Sequence, residues 1–254
     1  MSIPVVAFFT NKGGVGKTSL VFHISHMLAD FEDELSQVWQ KCLDRDERAF
    51  RVTTSFWRVL QAAGEQHEAD VVLMDLGPNL DAINRAALIS ADFIVMPLGP
   101  DLFSIQGLRN LGPRLRSWRA EWAERIPKNP CADVKLPRGA MTPLGYIVMQ
   151  HSEHKKHPVK SYTKWVCRIP QAYREFVLSD SLAGQLAVEE DRNCLALLKN
   201  YRSLVSMAQE ASKPIFYLKP GDGALGAHVA AVRDAYNDFK KLSLELVQRA
   251  GVRA

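Results

Sequence analysis

Thr10-Asn11-Lys12-Gly13-Gly14-Val15-Gly16-Lys17-Thr18-Ser19 lies between an apolar, partly β-branched run, Ile3–Phe9, and a segment of helical period, Thr18–Ala29. The apolar run stops at polar Thr10-Asn11, as a buried parallel strand does. Behind the glycines, Leu20, Val21, Ile24, Met27 and Leu28 recur at helical spacing. A strand, a glycine-rich turn and a helix in that order form an anion site. Gly13, Gly14 and Gly16 let backbone N–H groups approach phosphate oxygens with no Cβ in the way, and the helix start adds its own N–H groups and positive dipole end. Lys17 is placed to reach the β- and γ-phosphates of ATP, and the Thr18 hydroxyl to ligate Mg²⁺. The usual pattern has glycine five residues before Gly16; here Asn11 stands there, and Lys12 adds a second lysine. A chance glycine-rich turn would not combine Gly-Lys-Thr with a strand before it and a helix after it.

Outward from this loop, Val71–Met74 reads as a second buried strand ending in Asp75, Phe93–Pro97 as a third and Leu144–Met149 as a fourth, with Pro214–Leu218 as a short last one. Between Phe31 and Gln66 polar residues interrupt every apolar pair. Leu35, Val38, Trp39 and Leu43, then Phe50, Phe56, Val59 and Leu60, suit two helices. Further helices are expected over Asp81–Ser90, Leu102–Arg125, Tyr173–Val177 and most of Gln185–Glu210. Asn129–Thr142, with Pro130, Pro137 and Gly139, reads as a loop. A final helix spaces Leu225, Val229, Val232, Tyr236, Phe239, Leu242 and Leu246 alternately four and three apart, an apolar stripe expected to pack on the sheet. Strands alternating with helices predict an α/β fold, a mostly parallel sheet with helices on both faces, in a single domain over residues 1–254.

The lysine-glycine-glycine-x-glycine-lysine-threonine loop resembles the deviant Walker A motif of the ParA/MinD family of partitioning and positioning ATPases. Val71-Val72-Leu73-Met74-Asp75-Leu76-Gly77-Pro78-Asn79 is similar to that family's Walker B strand and switch II. Val95-Met96-Pro97-Leu98-Gly99-Pro100, with Ser104 and Gly107-Leu108, is similar to its strand–helix junction beside the nucleotide base. Leu144-Gly145-Tyr146-Ile147-Val148-Met149 and Ile169-Pro170 follow in the family's order. The resemblance implies a P-loop NTPase fold, ATP and Mg²⁺ as ligands, and a homodimer that sandwiches two nucleotides. It implies that Lys12 crosses to the phosphates of the second subunit, that Asp75 holds Mg²⁺ through water, and that Gly77-Pro78 moves with the γ-phosphate. A carboxylate at the carboxyl end of a strand beside the loop is where a hard cation needs its oxygen ligand; a helix cap is the plain alternative for Asp75.

One region departs from the family. There the first helix leads into a second strand and an aspartate-rich turn, switch I, which positions the attacking water. Here Asp30 runs directly into Phe31-Glu32-Asp33-Glu34-Leu35, a helix-forming stretch. Asp44-Arg45-Asp46 lies between helical stretches and reads as a solvated turn. Several tens of residues are missing relative to the family between Asp30 and Phe31. A lost strand would leave the neighbouring sheet edge open or covered by the Phe31–Leu43 helix. Phosphate binding needs only the loop, the helix end and the metal, whereas hydrolysis also needs a group that orients water. An ATPase is therefore expected from the resemblance, and a non-hydrolysing, ATP-dependent interaction module is the alternative.

Lys155, Lys156, Lys160, Lys164, Arg168 and Arg174 stand against one carboxylate, Glu153, among Tyr162, Trp165 and Tyr173. Cations mixed with aromatics can grip a phosphate backbone, and family members bind DNA non-specifically; the bland reading is a solvated loop whose aromatics pack inward. His151, His154 and His157 are three apart but lack cysteine companions. Arg109, Arg114, Arg116 and Arg119 read mostly as a solvated face over Trp118 and Trp122. No window has the 18 apolar residues of a membrane span, and Met-Ser-Ile-Pro opens no signal peptide. Cys42, Cys131, Cys167 and Cys194, without C-x-x-C spacing, read as free thiols of a reducing compartment, so a cytoplasmic protein is expected. A net charge of +4 permits nucleic acid without arguing for it. DNA, cargo or a partner protein, but no membrane, are the expected contacts.

Overall fold

The structure is a computed structural model that describes residues 3–9, 34–151, 164–180 and 186–252. Five strands form one sheet: β1 (Val5–Phe9), β2 (Val72–Leu76), β3 (Phe93–Leu98), β4 (Thr142–His151) and β5 (Cys194–Lys199). Their order is β2-β1-β3-β4-β5 and each strand is parallel to its neighbours. The helices are α1 (34–41), α2 (Glu47–Thr53), α3 (Ser55–Gln66), α4 (Ala82–Ile89), α5 (Leu102–Arg125), α6 (Ile169–Ala172), α7 (Ser203–Glu210) and α8 (Ala227–Arg249). The expected α/β architecture is thus borne out.

Side chains alternate across the strands, and the two faces have separate cores. Val5, Ile94, Met96, Tyr146 and Val148 face a large core built with α1, α2, α4, α5 and α6. Val6, Val95, Ile147 and Leu195 face a smaller one closed by Phe239, Leu242 and Leu246 of α8. In the large core Trp39 of α1 stacks on Trp122 of α5, with ring centroids 5.8 Å apart, and donates through Nε1 to Glu121 at 2.8 Å. The guanidinium groups of Arg85 and Arg125 lie 4.4 and 4.3 Å from the Trp39 ring centroid, and Arg125 also donates to the Trp39 carbonyl at 2.9 Å. These contacts fix α1 against α5. Leu73 of β2 is 64% exposed.

Several expectations need correction. The stretch Gln185–Glu210 is not mostly helical: it holds β5, and only Ser203–Glu210 is α-helix. Leu195 and Leu198 are buried three apart because the β4–β5 register shifts twice, which gives a strand a helical-looking pattern. Pro214–Leu218 is not a strand but a 3-10 turn over Ile215–Tyr217; Pro214 has no N–H for a ladder, and its carbonyl accepts from Tyr217 N at 2.9 Å. The apolar positions Phe50 to Leu60 belong to two helices, broken at Thr54, whose hydroxyl donates to the Phe50 carbonyl at 2.7 Å. Tyr173–Leu178 is π-helical, continuing α6. The arginines of α5 divide: Arg119 donates to the carbonyls of Ala140 and Met141, and Arg116 to that of Phe176 at 2.5 Å, while Arg109 and Arg114 are exposed. The stripe of the last helix also divides: Leu242 is buried, but Leu225, Val229 and Tyr236 are 62, 53 and 45% exposed.

Candidate functional site

The strand order carries the site. β1 continues to β2 on one side, while the next strand, β3, lies on the other side of β1. Between β1 and β3 successive connections therefore turn opposite ways, and in parallel sheets ligands bind at such a crevice, beyond the carboxyl ends of the strands. Asp75 pairs in register with Phe8, and Leu76 with Phe9, the last residue of β1. On the other flank Val95 pairs with Phe8, which puts Pro97 two residues further along β3. The carboxyl end of β1 thus lies between Asp75 and Pro97. Asp75 is exposed and Pro97 half-buried at this end of the sheet. The strand runs one residue past Asp75 instead of ending there, and the cap of the following helix is Asp81, not Asp75.

Two short segments frame the crevice. After β2, Asn84 donates its side-chain amide to the Asn79 carbonyl at 2.8 Å, while its backbone N–H donates to Asp81 at 2.8 Å. The Gly77–Leu80 segment is thereby tied to the first turn of α4, and Gly77 has open space around it. After β3, Gly99 N donates to Ser104 Oγ at 2.8 Å, and Ser104 N donates to Asp101 at 2.8 Å. A Cβ on Gly99 would meet Asp101 Oδ2 at 2.7 Å, so a larger residue here would push the Asp101 carboxylate from its place at the start of α5. Asn84 and Asp101 were missed as site-shaping residues; the signal was the Asp-x-x-Asn and Asp-x-x-Ser spacing of a helix start.

Asn11, Lys12, Gly13, Gly14, Val15, Gly16, Lys17, Thr18 and Ser19 lie outside the described residues, as do the Asp30–Phe31 junction and Lys155, Lys156 and Lys160. Asp44 is exposed in a turn, and Asp46 caps α2 by accepting from Ala49 N at 2.9 Å. From residue 34 to β2 the described chain is helical or turn, with no strand. The described part of the basic segment keeps one aromatic between two cations: Lys164 Nζ and the Arg168 guanidinium each lie 5.2 Å from the Trp165 ring centroid. Arg174 and Tyr173 belong elsewhere. Arg174 pairs with buried Asp191 at 3.3 Å, and Tyr173 is wholly buried against Tyr146. Tyr146 Oη and Asn193 also donate to Asp191, and burial raises the pKa of both tyrosines. The four cysteines are free. Among the described residues no cluster of three His, Cys, Asp or Glu suits a metal, and no helix is long and apolar enough to cross a membrane.

A parallel sheet with a crevice at the reversal of strand order, a carboxylate on one flank and a glycine junction on the other, defines an α/β domain with a ligand site at the carboxyl ends of its strands. Residues 27–126 match the family model of the AAA domain. Over those residues the chain is similar to this family of domains. The match begins after the glycine-rich stretch, so that stretch is read from its own residues. No curated protein matches the chain in sequence. Among solved structures, a protein from Corynebacterium diphtheriae is 29% identical over 48% of this chain and 46% of its own, with a TM-score of 0.42. A McdA variant of Cyanothece in complex with ATP is 12% identical over 98% and 86%, with a TM-score of 0.49. A chain described as a plasmid partition protein of Borrelia burgdorferi B31, bound to AMPPNP, is 11% identical over 94% and 99%, with a TM-score of 0.45. The alignment thus spans under half of the Corynebacterium protein.

Proposed function

We propose that the chain is a cytoplasmic ParA-like positioning ATPase, one domain over residues 1–254, that binds ATP with Mg²⁺ and works through an ATP-dependent homodimer on DNA or other cargo. The observation that supports it most is the crevice at the carboxyl end of β1, flanked by Asp75 and Pro97, at the strand that the lysine- and glycine-rich stretch follows in sequence. In this reading the backbone of Asn11–Ser19 and the Lys17 ammonium hold the phosphates, and Pro97 lies beside the base. The donor set suits a hard cation: Thr18 supplies a hydroxyl, and Asp75 an exposed carboxylate at the strand end, acting through water. Bound Mg²⁺ would neutralise developing phosphate charge. Lys12 reaches toward a partner subunit. Lys164 and Arg168, on either side of Trp165, are the described members of the DNA-contacting set that Lys155, Lys156 and Lys160 complete.

A specific observation favours the second reading, a nucleotide-dependent module that does not turn over. The described chain between residue 34 and β2 is helical or turn, and of the two carboxylates in Asp44-Arg45-Asp46 the first is exposed in a turn and the second caps a helix. Calorimetry with ATP and Mg²⁺ tests the binding that both readings share. Lys17→Ala should lose at least tenfold in affinity, and Asp75→Asn should weaken binding with Mg²⁺ but not without it. Equal affinity for wild type and Lys17→Ala would remove the basis of both.

A further inference from the structure

Beyond β5, the chain builds a small satellite core from Leu204, Leu218 and Ala224, with Ile215, Ala231 and Val232 packed against it. Its outer surface is unusually apolar for solvent. Tyr217 is 60% exposed, and Leu225, Val229 and Tyr236 are more than two-fifths exposed. Phe216 joins them: its ring lies 4.9 Å from that of Tyr217 and 6.3 Å from that of Tyr236, so the 3-10 turn and α8 form one surface. Val229, Arg233, Tyr236 and Lys240 are four, three and four apart and so share one helix face; Lys240 Nζ lies 5.8 Å from the Tyr236 ring centroid. At one side a pocket of about 480 Å³ opens between Lys213 and Lys219, lined by Phe216, Tyr217 and Leu218.

The charges decide the occupant. Lys213 is engaged bidentately by Asp222 at 2.8 and 3.0 Å, and Lys219 also lies in the field of Asp222, whereas Arg233 and Lys240 have no ion pair among the described residues. An apolar centre rimmed by four cations and one shared carboxylate complements an apolar side chain flanked by acids. The four exposed apolar side chains offer roughly 400 Å², the size of a functional patch but half of the ~800 Å² per partner that a stable dimer buries. A short segment fits this surface better than a second copy. Nucleic acid fits less well, because Phe216 stands edge-on to Tyr217 at 71° and Leu225 and Val229 give a base no stacking face. A bilayer fits less well too, since the second half of α8 is buried against the sheet.

We infer that this surface, formed by the 3-10 turn and the first half of α8, docks an acidic segment of a partner protein that inserts an aromatic or long aliphatic side chain into the pocket between Lys213 and Lys219. It uses none of the residues proposed for the nucleotide, so it stands apart from the nucleotide reading.

The probe is a fluorescein-labelled dodecapeptide of alternating Glu and Asp around a central Trp-Leu pair, titrated with the full chain and followed by anisotropy. Its lysine-for-acid counterpart, an oligothymidine and phosphatidylserine vesicles serve as comparisons. The acidic peptide should bind on the order of 50 μM, as small interfaces do, and at least tenfold more tightly than the lysine peptide. Tyr217→Ser and Lys219→Glu should each weaken it fivefold or more, and Lys164→Glu should not. Both altered side chains are exposed, and unchanged melting temperatures will show that the fold is kept. Equal binding of the two peptides, or insensitivity to Lys219→Glu, overturns the inference. So does Tyr217-dependent binding of the oligonucleotide or the vesicles that is tighter than that of the peptide.

Discussion

Gly112, in the middle of α5, is where the long helix and the π-helical segment Tyr173–Leu178 come closest. A Cβ at this position would overlap the Phe176 carbonyl oxygen and would lie 2.6 Å from its carbon and 3.1 Å from Val177 Cα. All three obstacles are backbone, so no rotamer change relieves them. Alanine in a helix interior is favoured over glycine by about 1 kcal/mol. Forcing a methyl into packed backbone costs up to about 3 kcal/mol, and shifting the π segment also stretches the Arg116 hydrogen bond to the Phe176 carbonyl. The expected net effect of Gly112→Ala is destabilisation by about 2 kcal/mol, or a fall in melting temperature of roughly 4–8 °C for a chain of this size. Differential scanning calorimetry reads it directly. Gly221→Ala is the control: its Cβ meets nothing within 4 Å, and it should move stability by less than about 0.5 kcal/mol. Phe176→Ala added to Gly112→Ala should restore nothing, because the obstructing carbonyl remains. A Gly112→Ala protein that melts at or above the wild-type temperature would refute the packing argument.

Turnover should be slow. Steady-state ATP hydrolysis with Mg²⁺, with or without added DNA, should stay well below the usual enzyme rate of about 1 s⁻¹; a faster rate would show that a residue other than Asp44 or Asp46 orients the water. Lys12→Ala should retain nucleotide binding but lose the dimer expected with a non-hydrolysable ATP analogue and not with ADP. Sedimentation checks this, and an unchanged dimer in Lys12→Ala defeats the role given to that lysine. Burial pushes the Cys194 thiol from its ordinary value near 9 up to about 12. Above pH 9 the unfolded chain has therefore lost a proton that the folded chain keeps, and stability should fall as pH rises from 9 toward 12. Cys194→Ala should melt with a shallower alkaline decline than wild type; identical slopes between pH 8.5 and 10.5 would mean that this thiol is not held.

The parts of the fold that could be read in the sequence are those whose local pattern and final environment agree. Val71–Met74 and Phe93–Pro97 are apolar runs with β-branched or aromatic residues, so they read as strands, and the strands β2, from Val72, and β3 are found there. Cys194-Leu195-Ala196-Leu197-Leu198 has no β-branched residue and buries two leucines three apart; only the pairing with β4 makes it a strand. The Asp191 cluster was equally hidden, because its partners Arg174 and Tyr146 lie 17 and 45 residues away and no period connects them. Asp75 and Pro97 were legible as ends of apolar runs, which is a local property.

That the two belong to one place is not local. It follows from β3 lying across β1 from β2, an order that fold-level physics favours but that no window of sequence contains. The same order limits what the missing switch region can do. With β2 the outermost strand among the described residues, Asp75 stands at the open side of the crevice. The helix nearest in sequence, α1, is held instead against α5 by Trp39, Arg85 and Arg125. Leu35, Val38, Trp39, Ala49 and Phe50 are thus committed to the core on one face of the sheet. In the proposed reading a water-positioning group is therefore to be sought in residues 10–33, in the loop after Asp75 or on a partner subunit rather than on the buried face of α1.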